Sequence, residues 1–587
     1  MNAMKETDIL VIGAGPMGAT TALALARLGV QVMMVSRHNW TANTPRAHIT
    51  NQRAVEILRD LGVEEDAKHV ATPWEYMGDT PISTSLAGME IARIRSWGTG
   101  DKRVGDYIQG SPCTPLDIAQ NKMEPLLVKH AAAHGAQLAF NTLYVRHEQD
   151  AGGVTTTLRD ATTGREYQVR SRYLVGADGA RSQVLEDAGL KVEGKLARAG
   201  STYVIIRADL ARYVAHRPSI LYFFVTASST YGELGLGRMR AVDCWNRWII
   251  GWDFDMEKGE PDLSNEEVLR RVRILVGDPD LEIEVEHASV WYVNQASAKV
   301  YSNSRVICGG DAVHRHPPSS GLGSNTCIGD AFNLAWKLAY VVKGWAGAEL
   351  LVSYSSERVP VGAQIVKRAN QSRLDYAPLN ECMRDNTAED PVAAGLAKLM
   401  DPGAEGVARR EALVKALELK NYEFNAQGVE MNQRCVSGAV IPDTDAGEEV
   451  WKRDPQLYLQ PTTRPGARMP HAWLIDKNGI RVSTLDLVGH GRFTLVTGIA
   501  GEKQWTSAAE SLAQPYLDTL VIGKLGAQDV YGDWHAVREI KEDGALLIRP
   551  DGVVAWRQTS GCADAGQARA ALEHAMSVIL DRALEPI

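Results

Sequence analysis

The chain opens its readable pattern with Asp8-Ile-Leu-Val-Ile12, an apolar run of the kind buried on both faces of a parallel sheet. Pro16 to Leu28, rich in Ala and Leu and closed by Gly29, predicts a helix, and Val30 to Val35 a second strand, so the first segment reads as a β-α-β unit. Apolar strands recur at Tyr173-Leu-Val-Gly176 and Ser304-Arg-Val-Ile-Cys-Gly-Gly310, followed by a helix over Ile328 to Val342 and helical pattern from about 345 to 383. Between about 192 and 300 the period changes. Thr202 to Arg207, Ile220 to Val225 and Trp248 to Trp252 alternate polar and apolar positions, as antiparallel strands do. A polar stretch over 383–406, with Asp-Asn-Thr-Ala-Glu-Asp-Pro and Asp-Pro-Gly, reads as a loop or linker. Val407 to Tyr422 predicts a charged amphipathic helix, and Phe493 to Thr497 a strand, with a helix from Trp505 after the turn Gly498-Ile-Ala-Gly501.

With 587 residues the chain is too long for one core, so two or three domains are expected. A net charge of −9 argues against a general nucleic-acid binder without excluding a local basic pocket. The seven cysteines are scattered with no close pair, so neither a disulfide scaffold nor a zinc site is suggested and no metal is expected. The amino terminus has no secretion pattern, and no stretch approaches the roughly 20 apolar residues of a membrane span. A reducing cytoplasm and no membrane partner are expected.

Three separated segments carry the chemistry. In Gly13-Ala-Gly-Pro-Met-Gly18, Gly13 permits a tight turn, Gly15 lets a pyrophosphate approach the backbone, and Gly18 lets helix and strand pack closely. The helix start then offers free N–H groups to phosphates. The acid that usually ends the second strand and binds a ribose is replaced by Ser36-Arg37. In Gly176-Ala-Asp-Gly-Ala-Arg-Ser182, Asp178 can accept from the pyrophosphate side or from nearby backbone. In Gly309-Gly-Asp-Ala-Val-His-Arg-His-Pro-Pro318, Asp311 follows a strand at its carboxyl end, where ligands sit in open α/β sheets, and is placed to bind ribityl hydroxyls. Gly321 and Gly323 precede a helix and would aim N–H donors at the pyrimidine edge of a flavin. In this order and spacing the three segments point to flavin adenine dinucleotide, FAD.

Together with Pro45-Arg-Ala-His-Ile-Thr-Asn-Gln-Arg53, Thr84-Ser-Leu-Ala-Gly88, Trp245-Asn-Arg-Trp248 and Gly323-Ser-Asn-Thr326, these segments make nearly the whole chain resemble the flavin-dependent aromatic hydroxylases, most nearly their phenol-hydroxylating members. The resemblance implies an α/β fold: a Rossmann-like FAD-binding domain over 1–191 and 301–383, an inserted antiparallel-sheet substrate domain over 192–300, a linker over 384–406 and a thioredoxin-like domain over 407–587. It implies NADH or NADPH as reductant, O₂ as oxygen source through a flavin C4a-hydroperoxide, a phenolic substrate hydroxylated ortho to its hydroxyl, and a homodimer. His48 is then the expected base, its ordinary pKa suiting proton transfer near neutrality. Asp117 would orient it or carry the proton, and Pro318 would form a cavity wall.

For the cofactor the resemblance adds Pro16, Met17, Arg37, Arg46, Ala47, Gln120, Val145, Leu322, Ser324 and Asn325 to the residues above. For the substrate pocket it offers Tyr222, Phe223, Arg240, Val242 and Gly251, with Arg240 open to a nicotinamide phosphate, the flavin or an anionic substrate group. No Cys-x-x-Cys occupies the turn after Phe493 to Thr497, so dithiol chemistry is not expected there. A flavoprotein that only moves hydride, or a binding protein that has lost turnover, would share the fold.

Overall fold

The computed structural model describes residues 4–226, 236–443 and 447–584. Its first sheet runs in the order Ser302–Asn303, Val306–Cys308, Glu166–Gly176, Lys5–Ile12, Val32–Val35, Gln137–Ala139, with the hairpin Thr142–Asp150 and Gly153–Asp160 attached to the long strand. The four strands from Val306–Cys308 to Val32–Val35 are parallel, and their apolar runs Val306 to Cys308, Tyr173 to Gly176, Ile9 to Ile12 and Val32 to Val35 are buried. Their registers pair Ile12 with both Val35 and Gly176, and Gly176 with Cys308. The residues that follow each strand, Gly13, Ser36, Ala177 and Gly309, therefore emerge along one edge. Sequence segments some 300 positions apart meet there. Helix Pro16–Arg27 crosses this sheet and packs on the long helix Gly323–Val342 and on Gln120–Ala133.

The second sheet has the order Asp253–Phe254, Gly200–Arg207, Arg247–Gly251, Gly237–Asp243, Leu221–Phe224, Asp79–Ser83, Glu90–Arg95, with Glu284–Tyr292 also paired to Gly200–Arg207. It draws two strands from outside 192–300, and the junction between Leu221–Phe224 and Asp79–Ser83 is parallel. Alternation along its strands separates two faces. Val204, Ile206, Tyr222, Phe224, Met239, Ala241, Trp248 and Ile250 form a core with helix Asn265–Val276. Phe223 and Val225 join the opposite core, with Ile49, Trp97 and Tyr376.

The stretch over 383–406 is not simply a loop. Asp390 caps helix Pro391–Met400 by accepting from Val392 and Ala393 N–H, and Val392, Leu396 and Leu399 are buried against Leu413 and Ala416 of helix Ala404–Leu419. The Asp-Pro pair, read as a breaker, is a cap followed by proline in the first turn. Helix Ala404–Leu419 thus packs under the second sheet rather than within the C-terminal unit.

That unit is a four-stranded sheet ordered Leu517–Ile522, Phe493–Gly498, Ala545–Ile548, Val554–Gln558, the first pair parallel and the others antiparallel, with helices Glu502–Leu512 and Ala565–Ile579. It is fused to the first domain through aromatic contacts, Phe493 lying 5.9 Å from Trp336 and 5.8 Å from Tyr340 between ring centres. Beside them Glu357 accepts from Lys337 Nζ at 2.9 Å and from both terminal nitrogens of Arg549 at 2.7 and 3.0 Å, and Arg549 also reaches Asp551 at 2.6 Å. All four charges are buried. Burial works against the Glu357 carboxylate, yet Arg549 and Lys337 outweigh it and hold the group well below its ordinary range.

Candidate active site

At the common sheet edge the three glycines of the first turn divide their work. Gly13 has φ +114°, and a Cβ there would lie 2.1 Å from the Ala177 carbonyl oxygen; at Gly18 it would lie 1.9 Å from that of Gly13. Both positions admit no side chain. Gly15 differs: a Cβ would meet nothing nearer than Glu124 Oε1 at 3.8 Å, so its surface is open to a ligand. Helix Pro16–Arg27 starts there with no side-chain cap, leaving its first N–H groups for an anion. Met17 is buried under Gly309 and Gly310, while Asp311 stands exposed just after them. An open glycine floor, an uncapped helix start and an exposed carboxylate on one edge fit the pyrophosphate and ribityl chain of FAD.

Other expected cofactor residues surround this edge. Arg37 and Arg46 are exposed, their Nε atoms donating to His38 Nε2 and Thr44 Oγ1. Ala47 carbonyl accepts from Gln120 N–H at 2.8 Å, and the Gln120 amide donates to Glu124 at 2.6 Å. Val145, half-buried, lies on the strand whose Thr142 N–H reaches the Ser36 carbonyl at 2.8 Å. Asp178 is engaged within its own turn, accepting from Ser182 Oγ at 2.5 Å and Val184 N–H at 3.2 Å.

The loop that follows Pro318 is held in an unusual shape. Ser320 and Gly321 have φ +68° and +61° in succession, the Pro318 carbonyl accepts from Gly321 N–H at 3.0 Å, and Ser320 Oγ pairs with Ser372 Oγ at 3.0 Å. Leu322 is buried, and helix Gly323–Val342 begins with Gly323 and Ser324 half-buried. The Asn325 side chain is spent on protein backbone: its amide donates to Ile49 carbonyl at 2.8 Å and Gly321 carbonyl at 2.6 Å, and its oxygen accepts from Asn51 N–H at 3.0 Å. It staples this loop to the segment that carries His48.

That segment forms a two-stranded ladder, Ile49–Thr50 with Leu116–Asp117, which brings His48 beside Asp117. Both side chains are buried, with His48 Nδ1 3.8 Å from Asp117 Oδ1. His48 Nε2 lies 3.0 Å from the Pro45 carbonyl, which can only accept, so Nε2 carries the hydrogen. Nδ1 then has the lone pair, and it has no hydrogen-bond partner and no surface open to solvent. Burial, with Arg240 and Lys122 nearby, lowers the His48 pKa well below its ordinary value, against the opposing pull of the Pro45 carbonyl. The ring is neutral near pH 7. Arg240 donates to Asp117, whose pKa burial raises against that arginine's opposition.

Of the expected pocket residues, Arg240 lies on the face of strand Gly237–Asp243 opposite the helix-covered core, since Met239 and Ala241 occupy the other, and Val242 is buried at a break in the strand's register. Phe223 is 5.4 Å from Tyr376 and 6.5 Å from Phe424 between ring centres. Gly251 lies against Arg238 and the Thr202 carbonyl. Tyr222 does not join them. One step along its strand from Phe223, it points into the opposite core, its hydroxyl accepting from Ser219 N–H and donating to the Arg217 carbonyl. Sequence reasoning also passed over Tyr203, whose hydroxyl donates to the Pro45 carbonyl at 2.7 Å, and Arg238, bound to Asp253 and Ser201. Period-2 alternation from Val204 and Ile206 could have assigned Tyr203 to the site face.

Among the described residues no group of three or more His, Cys, Asp or Glu could hold a metal ion, and no helix is long and apolar enough to cross a membrane. Fold and cradle together define a flavoprotein. A family model described as FAD binding domain matches residues 6–369, and one described as aromatic-ring hydroxylase, C-terminal, matches 462–583. The chain is 47% identical to 2,4-dichlorophenol 6-monooxygenase of Cupriavidus pinatubonensis over 95% of its own length and 94% of the relative's. It is 44% identical to phenol 2-monooxygenase of a Pseudomonas species over 95% and 91%. The solved flavin-dependent monooxygenase PieE, in complex with FAD and substrate, superposes with a TM-score of 0.93 at 40% identity, over 98% of this chain and 99% of that one. The chain belongs to the FAD-binding aromatic-ring hydroxylase family. It is an FAD-dependent aromatic monooxygenase.

Proposed function

We propose that this enzyme hydroxylates a phenol ortho to its hydroxyl, drawing electrons from NADH or NADPH and oxygen from O₂, with His48 as the base that takes the phenol proton. FAD, when bound, supplies electron transfer and oxygen activation; the protein binds, orients, excludes water and moves the proton. Gly13, Gly15, Gly18 and the helix start would take the pyrophosphate, Asp311 the ribityl hydroxyls, and Gly321 to Gly323 the pyrimidine edge. Arg37 would pack near the adenosine, and Arg46 would contact the flavin or the nicotinamide's phosphates, which suit a guanidinium fork. Pro318, Phe223, Val242 and Gly251 would wall the substrate cavity.

The observation that carries this reading is the neutral His48, sealed beside Asp117 next to the stapled loop. A phenolate ring is a stronger nucleophile than a phenol, so proton removal raises reactivity toward an electrophilic oxygen. Because Nδ1 is closed to solvent, the phenol must displace a neighbour to reach it. Arg240, whose side chain is 17% exposed against 2% for His48 and 1% for Asp117, is the member with room to move. Asp117 already neutralises Arg240, which supports an apolar phenol over an anionic substrate. The names of the two relatives, both monooxygenases, weigh against a flavoprotein that only transfers hydride.

The C-terminal strand order and directions support a thioredoxin-like unit without dithiol chemistry, and the resemblance to the family supports a homodimer in the cytoplasm. Light scattering of the purified enzyme tests the dimer. For the reaction, the flavin-loaded protein is mixed with NADH or NADPH, oxygen and substituted phenols. Phenol-stimulated oxygen uptake with a catechol product is expected; reduced product without oxygen consumption would overturn the reading.

A further inference from the structure

The Pro45 carbonyl is shared. It accepts from His48 Nε2 at 3.0 Å and from the Tyr203 hydroxyl at 2.7 Å. Tyr203 projects from strand Gly200–Arg207 of the second sheet, whereas Pro45 and His48 belong to the first domain, so the tyrosine joins two domains at the base itself. We propose that Tyr203 is a positioning residue that selects the tautomer of His48: by fixing the Pro45 carbonyl it keeps the proton on Nε2 and the lone pair on Nδ1. This rests on the reading of His48 as base.

The selection opposes a real competitor. Asp117 lies 3.8 Å from Nδ1, and a carboxylate there favours the other tautomer, with the hydrogen on Nδ1 and the lone pair on the wrong nitrogen. Arg240 draws on the same carboxylate, and Lys122, paired with Asp243, adds positive charge nearby. A buried imidazole has few ways to resist such a pull except a fixed acceptor on its far nitrogen. A carbonyl has two lone pairs, enough to accept from Tyr203 and His48 together. Burial raises the pKa of the Tyr203 hydroxyl, so it stays a donor throughout the working pH range.

The test is Tyr203→Phe, which keeps the ring and removes only the donor. In flavin-loaded protein labelled with ¹⁵N-histidine, the His48 resonances are identified by their loss in His48→Asn. Wild type should show an unprotonated Nδ1, and Tyr203→Phe a population shift toward Nδ1–H. Phenol turnover by the variant should fall about tenfold at neutral pH, as a partial loss of general-base catalysis. Its acid limb should move to higher pH, because a ring released toward Asp117 is more easily protonated. An Nδ1–H ring in wild type, or an unchanged tautomer and pH profile in Tyr203→Phe, would overturn the proposal. The nuclear resonance measurement needs no turnover. A correct tautomer in a protein that hydroxylates no phenol would therefore strike the proposed function and leave the positioning role standing.

Discussion

Asn325→Ala tests whether the loop proposed to face the flavin is built by the protein before any ligand arrives. The substitution releases three backbone groups at once: the buried Asn51 N–H and Ile49 carbonyl, and the half-buried Gly321 carbonyl. A buried polar group left without a partner costs about 1–3 kcal/mol, so three in a dry core would approach the whole stability of an ordinary domain. The site has room for water. A cavity of about 60 Å³, lined by Asn51, Asn325, Arg358, Gln433 and Arg468 among others, lies directly behind the loop. A space of that size, lined by polar side chains, can admit water. Rehydration brings the expected loss to about 1–3 kcal/mol in total. Part of it should appear in flavin binding, since Ser320 and Gly321 keep their left-handed backbone only while the loop is stapled. A loss of 1.4 kcal/mol is a tenfold rise in the dissociation constant. The assay is flavin fluorescence on dilution of the holoenzyme, alongside urea unfolding of the flavin-free protein. Asn325→Asp should be the worse of the two, because its second oxygen faces two carbonyls that need a donor. Equal flavin affinity in wild type and Asn325→Ala, or a milder effect from Asp than from Ala, would refute the staple.

Three further outcomes follow from the same geometry. His48→Ala should lower phenol hydroxylation about 10²–10⁴-fold with flavin content intact; in wild type, activity should persist as pH falls and fail only below the ordinary histidine range, because the active ring is neutral and its pKa lies low. Steady-state pH profiles of the two proteins decide this, and a wild-type limb above pH ~7 would remove His48 as the base. Asp311→Ala should weaken FAD retention by about 1–3 kcal/mol if the exposed carboxylate accepts from ribityl hydroxyls, read by equilibrium titration; unaltered affinity places the ribityl chain elsewhere. Glu357→Gln leaves Lys337 buried without its carboxylate, while Arg549 keeps Asp551, and should cost about 3–5 kcal/mol in urea unfolding, with the C-terminal unit loosening first under limited proteolysis.

Much of the cofactor edge was legible in the chain because backbone turns are written locally. Gly13 and Gly18 need their identity for close approach, and Pro16 to Gly29 carries its helix in its own composition. The partition of side chains between the two faces of the second sheet was not legible with the same ease. Tyr222 and Phe223 are neighbours with similar chemistry, and only the position of helix Asn265–Val276 decides that Tyr222 enters one core while Phe223 enters the other. Asn325 was recognisable as a residue of the loop, yet its partners Ile49 and Asn51 lie more than 270 positions away, and no local pattern names them.

The sequence alone thus determined the local devices: parallel strands ending in glycine turns, an uncapped helix start, and a histidine and an aspartate of the right kind. Tertiary structure decided what those devices do. A histidine becomes a neutral imidazole with its hydrogen on Nε2 only when an aspartate, an arginine, a carbonyl and a tyrosine converge on it and exclude water. Desolvation and charge proximity depend on distance through space, and distance through space is what a linear chain does not record.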